Sequence, residues 1–201
     1  MVWKRPPAVV VVFGVLVGFG GGDGAALAAG PLFDPYTVFP VGSATAVTVG
    51  DVNGDGLDDA VVATSGSDPR LHVLLQNAAH GFDPQVDYAG GNGNSVAAGD
   101  LNHDGRADVV VSADGAVGVF LQNAAGGLDP MVRYPTASSI AVERVKVGDF
   151  NGDGRKDIVA IHWGSSSSDV DVFLQNASGS FDPPVVYTVL HGGYDDLRLA
   201  T

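Results

Sequence analysis

Cysteine is absent from this chain, which excludes disulfides, thiol catalysis and lipidation at a cysteine. Basic residues are scarce: ten Lys and Arg stand against 23 Asp and Glu, for a net charge of −13. A polyanion needs a basic footprint, so no nucleic-acid partner is expected. The five histidines, His72, His80, His103, His162 and His191, show neither H-x-x-H nor H-E-x-x-H spacing, and no zinc site follows. No G-x-S-x-G, P-loop or Rossmann glycine pattern is present. The run Ser165 to Ser168 reads as a polar hairpin loop, because a serine nucleophile needs a positioned base. Long helical periods are missing, and the strongest apolar run, Ala8 to Phe19, falls short of the ~20 residues that span a bilayer.

What the chain has in abundance is one nine-residue pattern. Asp51-Val52-Asn53-Gly54-Asp55-Gly56-Leu57-Asp58-Asp59 returns as Asp100 to Asp108 and as Asp149 to Asp157, a step of 49 each time. Each copy reads D-x-N-x-D-G-x-x-D. Oxygens at positions one, three, five and nine, a glycine at six and a backbone carbonyl at seven suit a large, hard cation with six to eight oxygen ligands. Calcium is the expected occupant, about three ions in all, since magnesium prefers a tighter octahedron and transition metals favour His or Cys. The glycines at six (Gly56, Gly105, Gly154) are expected where the chain reverses tightly. An EF-hand needs Glu at position twelve, and here Val62, Val111 and Ala160 stand there. The flanks Ala46-Val47-Thr48-Val49 and Ala60-Val61-Val62-Ala63 are strand-like, so the loop is expected to join two strands. The acidity of the chain has this local cause: nine loop aspartates and Asp58 supply ten of its acidic residues.

Ahead of the repeats, Met1 to about Ala28 has the form of a secretory signal. Lys4 and Arg5 precede the apolar run, and Ala26-Leu27-Ala28 follows as an A-x-A cleavage site. The reading is therefore a signal peptide over 1–28 and a repeat domain over 29–201, secreted, extracellular or periplasmic, with no stable membrane anchor. Other marks recur with the loop. Leu75-Gln76-Asn77, Leu121-Gln122-Asn123 and Leu174-Gln175-Asn176 each precede an aromatic or leucine followed by Asp-Pro, at Phe82, Leu128 and Phe181, and Phe33-Asp34-Pro35 precedes the first unit. Units of about 44–88, 93–134 and 139–187, with an incomplete fourth over 188–201, cover the mature chain.

In the middle unit four short extended runs can be placed: Ser95 to Gly99, Ala107 to Ala113, Val117 to Asn123 and Met131 to Tyr134. Turn chemistry separates them at the metal loop, at Asp114-Gly115 and over Ala124 to Pro130. Four short antiparallel strands per unit are the content of a propeller blade. The expected fold is all-β: a partial β-propeller of about three four-stranded antiparallel blades plus part of a fourth.

The three loops, each between a V-x-V-G-like strand and a D-x-V-V strand, resemble the FG-GAP or VCBS repeat family, to which integrin α-subunit propellers are related. The resemblance covers about Leu32 to Thr201. It implies calcium ligated by Asp51, Asn53, Asp55, the Leu57 carbonyl and Asp59. The matching sets are Asp100, Asn102, Asp104, the Arg106 carbonyl and Asp108, and Asp149, Asn151, Asp153, the Arg155 carbonyl and Asp157. His103, where the other loops have glycine, is expected to face solvent.

No catalytic residue is expected outside the loops. The favoured function is a secreted, noncatalytic adhesion or ligand-binding module whose partner is an extracellular protein or glycan. The alternative is a fragment or accessory region of a secreted carbohydrate-active or hydrolytic enzyme. Trp163, Tyr88, Tyr134 and Tyr187 are expected to cap blade edges or pack between blades, and Leu-Gln-Asn to be a buried strand end followed by a turn. Three units fall below the four to eight blades of a closed ring. A truncated frame, or self-association of open ends, is the expectation that follows.

Overall fold

The computed structural model describes residues 37–190, apart from 68, 91, 92, 139, 165 and 166. Within them the chain forms twelve strands and no helix. The signal segment expected over 1–28 and residues 191–201 of the expected fourth unit lie outside the described residues.

The strands fall into three four-stranded antiparallel sheets, each a simple meander. The first comprises β1 (Ala44–Gly50), β2 (Asp59–Thr64), β3 (Arg70–Leu74) and β4 (Val86–Ala89). In the second are β5 (Val96–Gly99), β6 (Asp108–Ala113), β7 (Ala116–Phe120) and β8 (Val132–Pro135). The third holds β9 (Val142–Gly148), β10 (Asp157–Trp163), β11 (Ser167–Phe173) and β12 (Val185–Leu190). Thr188 to Leu190 thus close the third sheet. Ser167 and Ser168, expected in a hairpin loop, are ladder residues of β11, with Ser168 opposite Trp163, because polar residues can occupy a strand once its neighbours supply the register.

The sheets stack face to face, with the first strands β1, β5 and β9 side by side. The sequence explains why a stack forms. The second strand of each unit is apolar at nearly every position, and β2 and β6 are buried along their whole length. Since alternate side chains leave opposite faces, such a strand must be covered on both. Val61, Ala63, Leu71 and Val73 meet Val109, Val111 and Phe120 in one core, between the first and second sheets. Val110, Val117 and Val119 meet Ile158, Ala160 and Phe173 in the next. Each of these valines, leucine, isoleucine and phenylalanines contributes about 1.5–3 kcal/mol of burial.

At the open face of the first sheet, Val41 and Phe39 cover Ala60, Val62 and Leu74, with Phe39 edge-on to Phe82 at 5.5 Å. That cover is incomplete. Val47 and Val49 remain 50% and 55% exposed, whereas Val96 and Val145, one and two repeats along from Val47, are 8% and 1% exposed in the cores between sheets.

Candidate functional site

Each of the three acidic loops joins the first strand of a sheet to the second, as the β-branched flanks led one to expect. The loop is organised by its first residue. Asp51 Oδ1 accepts the N–H groups of Gly54 (2.6 Å) and Asp55 (3.1 Å), and Oδ2 accepts that of Gly56 (2.9 Å). Asn53 Oδ1 accepts from Asp55 N–H, and Asp55 Oδ1 from Leu57 N–H. Asp149 repeats all three bonds of Asp51, and Asp100 accepts from Asp104 and Gly105. Gly56, Gly105 and Gly154 have φ of +84°, +85° and +85°, so the sixth position does require glycine. His103 adopts φ +63° and is exposed, in the place where Gly54 and Gly152 have +82° and +79°.

Position nine behaves differently from one, three and five. Asp59, Asp108 and Asp157 are fully buried. Asp59 Oδ2 accepts Val52 N–H at 3.0 Å and Oδ1 accepts Gln76 N–H at 2.8 Å, tying the loop to the turn after β3. Asp108 does the same with Leu101 and Gln122, both at 2.7 Å, and Asp157 with Phe150 and Gln175. Burial raises the pKa of Asp59 and pushes that of Asp108 up to about 6, against the pull of their N–H donors. On the exposed side the N–H of Gly154 holds Asp149 below the usual carboxylate range, and the N–H of Arg155 does so for Asp153.

The expected ligand positions therefore split. Asp51, Asn53 and Asp55 (with Asp100, Asn102, Asp104 and Asp149, Asn151, Asp153) lie together at the loop surface, while the ninth residue is locked beneath. No three His, Cys, Asp or Glu side chains converge among the described residues, and the surface of each loop offers two carboxylates and one asparagine amide. The donor set is hard oxygen throughout, the chemistry that calcium takes.

The seventh residue separates the loops. Arg106 and Arg155 each pair through Nη2 with the fifth-position carboxylate, Asp104 and Asp153. Their Nε atoms donate to the carbonyls of Gln122 (3.1 Å) and Gln175 (3.0 Å). Leu57 offers the first loop no such cation.

The Leu-Gln-Asn and Asp-Pro marks prove to be two halves of one turn. Asn77, Asn123 and Asn176 each donate from Nδ2 to Asp83, Asp129 and Asp182, at 2.9, 2.9 and 3.0 Å. The glutamines bridge to Phe82, Leu128 and Phe181; Gln122 and Gln175 are the buried strand ends expected, whereas Gln76 is half-buried. In the second and third sheets this turn lies against the acidic loop of the sheet before it. A Cβ on Gly126 would be 3.0 Å from the Asn53 carbonyl oxygen, and one on Gly179 would be 2.9 Å from that of Asn102.

Between loop and turn a cleft opens at each junction. The first, of about 530 Å³, is lined by Asp51, Asn53, Arg106, Gln122 and Asn123 among others. The second, of about 340 Å³, has Asn102, His103, Asp153, Arg155 and Asn176 on its walls. Nothing in the sequence showed these clefts, since their walls come from different units.

The aromatics divide. Tyr88 packs edge-on to Phe120 and its hydroxyl accepts the Leu128 N–H at 3.1 Å, while Tyr134 packs edge-on to Phe181 at 5.3 Å; both are junction residues, as expected. Trp163 and Tyr187 depart from the expectation. They are 55% and 58% exposed, on a sheet with no described neighbour beyond it, and Trp163 carries Arg144 over its ring at 5.5 Å. His72 pairs with Asp87 at 2.7 Å, and buried His162 stands 3.5 Å from Asp171, both outside the clefts.

The chain is similar in fold to an Agrocybe aegerita lectin that recognises non-reducing terminal N-acetylglucosamine, at 24% identity and a TM-score of 0.50. That match covers 73% of this chain but only 38% of the lectin. A Tc holotoxin pore of Photorhabdus luminescens matches at 22% identity and a TM-score of 0.44, over 75% of this chain and 7% of the toxin chain. No curated protein sequence matches significantly. The model of an FG-GAP-like repeat matches residues 51–111 and again 100–160. Those two matches begin on the first aspartate of the first and second loops and together span more than half the sequence, so the chain belongs to the FG-GAP-like repeat family.

Proposed function

We propose that this protein is a secreted, calcium-binding, noncatalytic module that holds an extracellular ligand, with a glycan as the ligand class. The observation that carries the reading is the loop built three times over, with an aspartate, an asparagine and a second aspartate at the surface of each. Calcium would be held by Asp51, Asn53, Asp55 and the Leu57 carbonyl, and by their counterparts in the other two loops. Asp59, Asp108 and Asp157 join through lone pairs that their two N–H bonds leave unused. The bound ion supplies charge neutralisation among carboxylates that otherwise repel, and so rigidity where the chain has no disulfide.

A noncatalytic role is supported by the site chemistry. The titratable groups of the loops are engaged by backbone N–H groups or by arginine, and the two histidine–carboxylate pairs lie away from the clefts. For the ligand, the shared fold with a lectin makes saccharides the class to test first. Binding of the full chain to a glycan array, with and without calcium, decides this reading. Glycan capture that chelator abolishes is expected; turnover of a glycoside substrate would overturn it. Export is tested separately by mass spectrometry, which should find cleavage after Ala28.

A further inference from the structure

The arginine of the second loop belongs to two places at once. Within its own loop it is bound by Asp104, whose Oδ1 accepts the Arg106 backbone N–H at 2.9 Å and whose Oδ2 pairs with Nη2. Its Nε donates to the Gln122 carbonyl at 3.1 Å, which fixes the guanidinium at the cleft between the first and second sheets. Into the same cleft the preceding loop presents Asp51 and Asn53, both expected ligands of the first ion. One cation therefore stands between carboxylates of two successive loops.

We propose that Arg106 couples the first two calcium loops, so that an ion in either one weakens binding of an ion in the other. The inference rests on the calcium reading above and adds a positioning residue that the two sites share. Asp104 is the fifth-position ligand, and an ion that takes its Oδ2 displaces Nη2, because a guanidinium and a divalent cation repel at such range. The Nε bond to Gln122 is not part of that exchange, so the released end of the guanidinium stays in the cleft. The carboxylate it meets there is Asp51. While the first loop is free of calcium, Asp51 attracts the guanidinium, and Arg106 gives up Asp104 readily. Once an ion neutralises Asp51, Arg106 is held on Asp104 and the second ion must compete with it. Linkage makes the effect mutual.

The turn supplies a second connection between the same two loops. Asp108 accepts the Gln122 N–H at 2.7 Å while Arg106 holds the Gln122 carbonyl, and further along that turn Gly126 lies against the Asn53 carbonyl. The other units give the contrasts. In the first, which no described sheet precedes, Leu57 stands at the arginine position. In the third, Arg155 repeats the bonds to Asp153 and to the Gln175 carbonyl, but the preceding loop presents Asn102 and His103 to that cleft instead of a carboxylate. The coupling is therefore assigned to the first junction.

The test is a calcium titration of the full chain, followed by NMR at the amides of Gly56 and Gly105, whose N–H groups lie on Asp51 and Asp100 and report each loop separately. Asp55→Ala removes a first-loop ligand that is exposed and does not line the cleft, and it leaves Asp51 charged. The Gly105 midpoint is expected to fall about fivefold in Asp55→Ala relative to wild type, the lower end of ordinary coupling between sites. Arg106→Leu copies what the first loop carries at Leu57, and it should tighten the second loop by itself. Adding Asp55→Ala to Arg106→Leu should then leave the Gly105 midpoint unchanged. A Gly105 midpoint that ignores Asp55→Ala in the presence of Arg106, or a shift that persists in the Arg106→Leu background, overturns the coupling and leaves calcium in the loops. No calcium response at either glycine overturns the coupling and the calcium reading together.

Discussion

Gly126 of the second sheet meets the backbone of Asn53 in the first so closely that a Cβ on the glycine would lie 3.0 Å from the asparagine carbonyl oxygen. Gly126 also has φ +78°. The corresponding residue of the first turn is His80, at φ +60° and exposed, with no described sheet before it. The positive φ alone therefore admits a side chain, and the junction is what demands glycine.

Gly126→Ala should consequently lose more stability than Gly152→Ala. Gly152 shares the positive φ (+79°) but has nothing within 4 Å of its Cβ position. Urea denaturation should give a loss of about 1 kcal/mol for Gly152→Ala, the cost of the φ, and about 2–3 kcal/mol for Gly126→Ala. Equal losses would remove the junction contact as the reason for Gly126.

The second loop residue tests the stack in the same way. Val52 and Leu101 are buried between sheets at 2% and 0%, but Phe150 is 45% exposed. Leu101→Ala should cost about 2–5 kcal/mol, the range for emptying a buried leucine. Phe150→Ala should stay within about 0.5 kcal/mol of wild type, as for an ordinary surface change.

If calcium fills the loops, the three sites should differ in affinity. The first loop has four carboxylates, Asp51, Asp55, Asp58 and Asp59, and no cation. Arg106 offsets one of three carboxylates in the second; Arg155 and Lys156 offset two of three in the third. Ligand charge sets affinity in calcium loops. Calorimetry should resolve the first loop as tightest and the third as weakest, and Leu57→Arg should weaken the first. Full occupancy at ~100-fold saturation adds about 2.7 kcal/mol per site, so chelator should lower the melting temperature. Melting indifferent to chelator would remove calcium from the account.

Asp108 makes a separate prediction, because both its oxygens accept buried N–H groups, from Leu101 and Gln122. Asp108→Ala leaves those donors unpaired and should cost about 1–3 kcal/mol per lost bond in metal-free protein. Asp58→Ala, an exposed neighbour in the first loop, should cost less than about 0.5 kcal/mol. The comparison is made in chelator, so that lost ion binding does not contribute.

Val47 and Val49 predict association. Val96 and Val145, the counterparts of Val47, show that this strand position packs against another sheet wherever one is present. Sedimentation of the purified chain at tens of micromolar should show species larger than monomer. Val47→Asp with Val49→Asp should disperse them, and a wild type that stays monomeric under those conditions would exclude association through this face.

The sequence by itself determined the repeat, its period of 49, the four strands of the middle unit and the loop that joins the first two. It could do so because these features are local: alternation, β-branching and the glycine that a positive φ requires are all written within ten residues of one another. The repeated Asp-x-Asn-x-Asp-Gly pattern was legible for the same reason. What only the tertiary structure decided was the division of labour inside that pattern. Asp59 and Asp55 look alike in sequence, yet one is buried against Gln76, which lies 17 residues further on, and the other is left at the surface. Likewise Gln122 reads as an ordinary strand end, and Gly126 as an ordinary turn residue. Their surroundings are supplied by Gly54 and Asn53 of the preceding unit, and sheet stacking brings those residues within van der Waals reach across some 70 positions of chain, which no local pattern encodes.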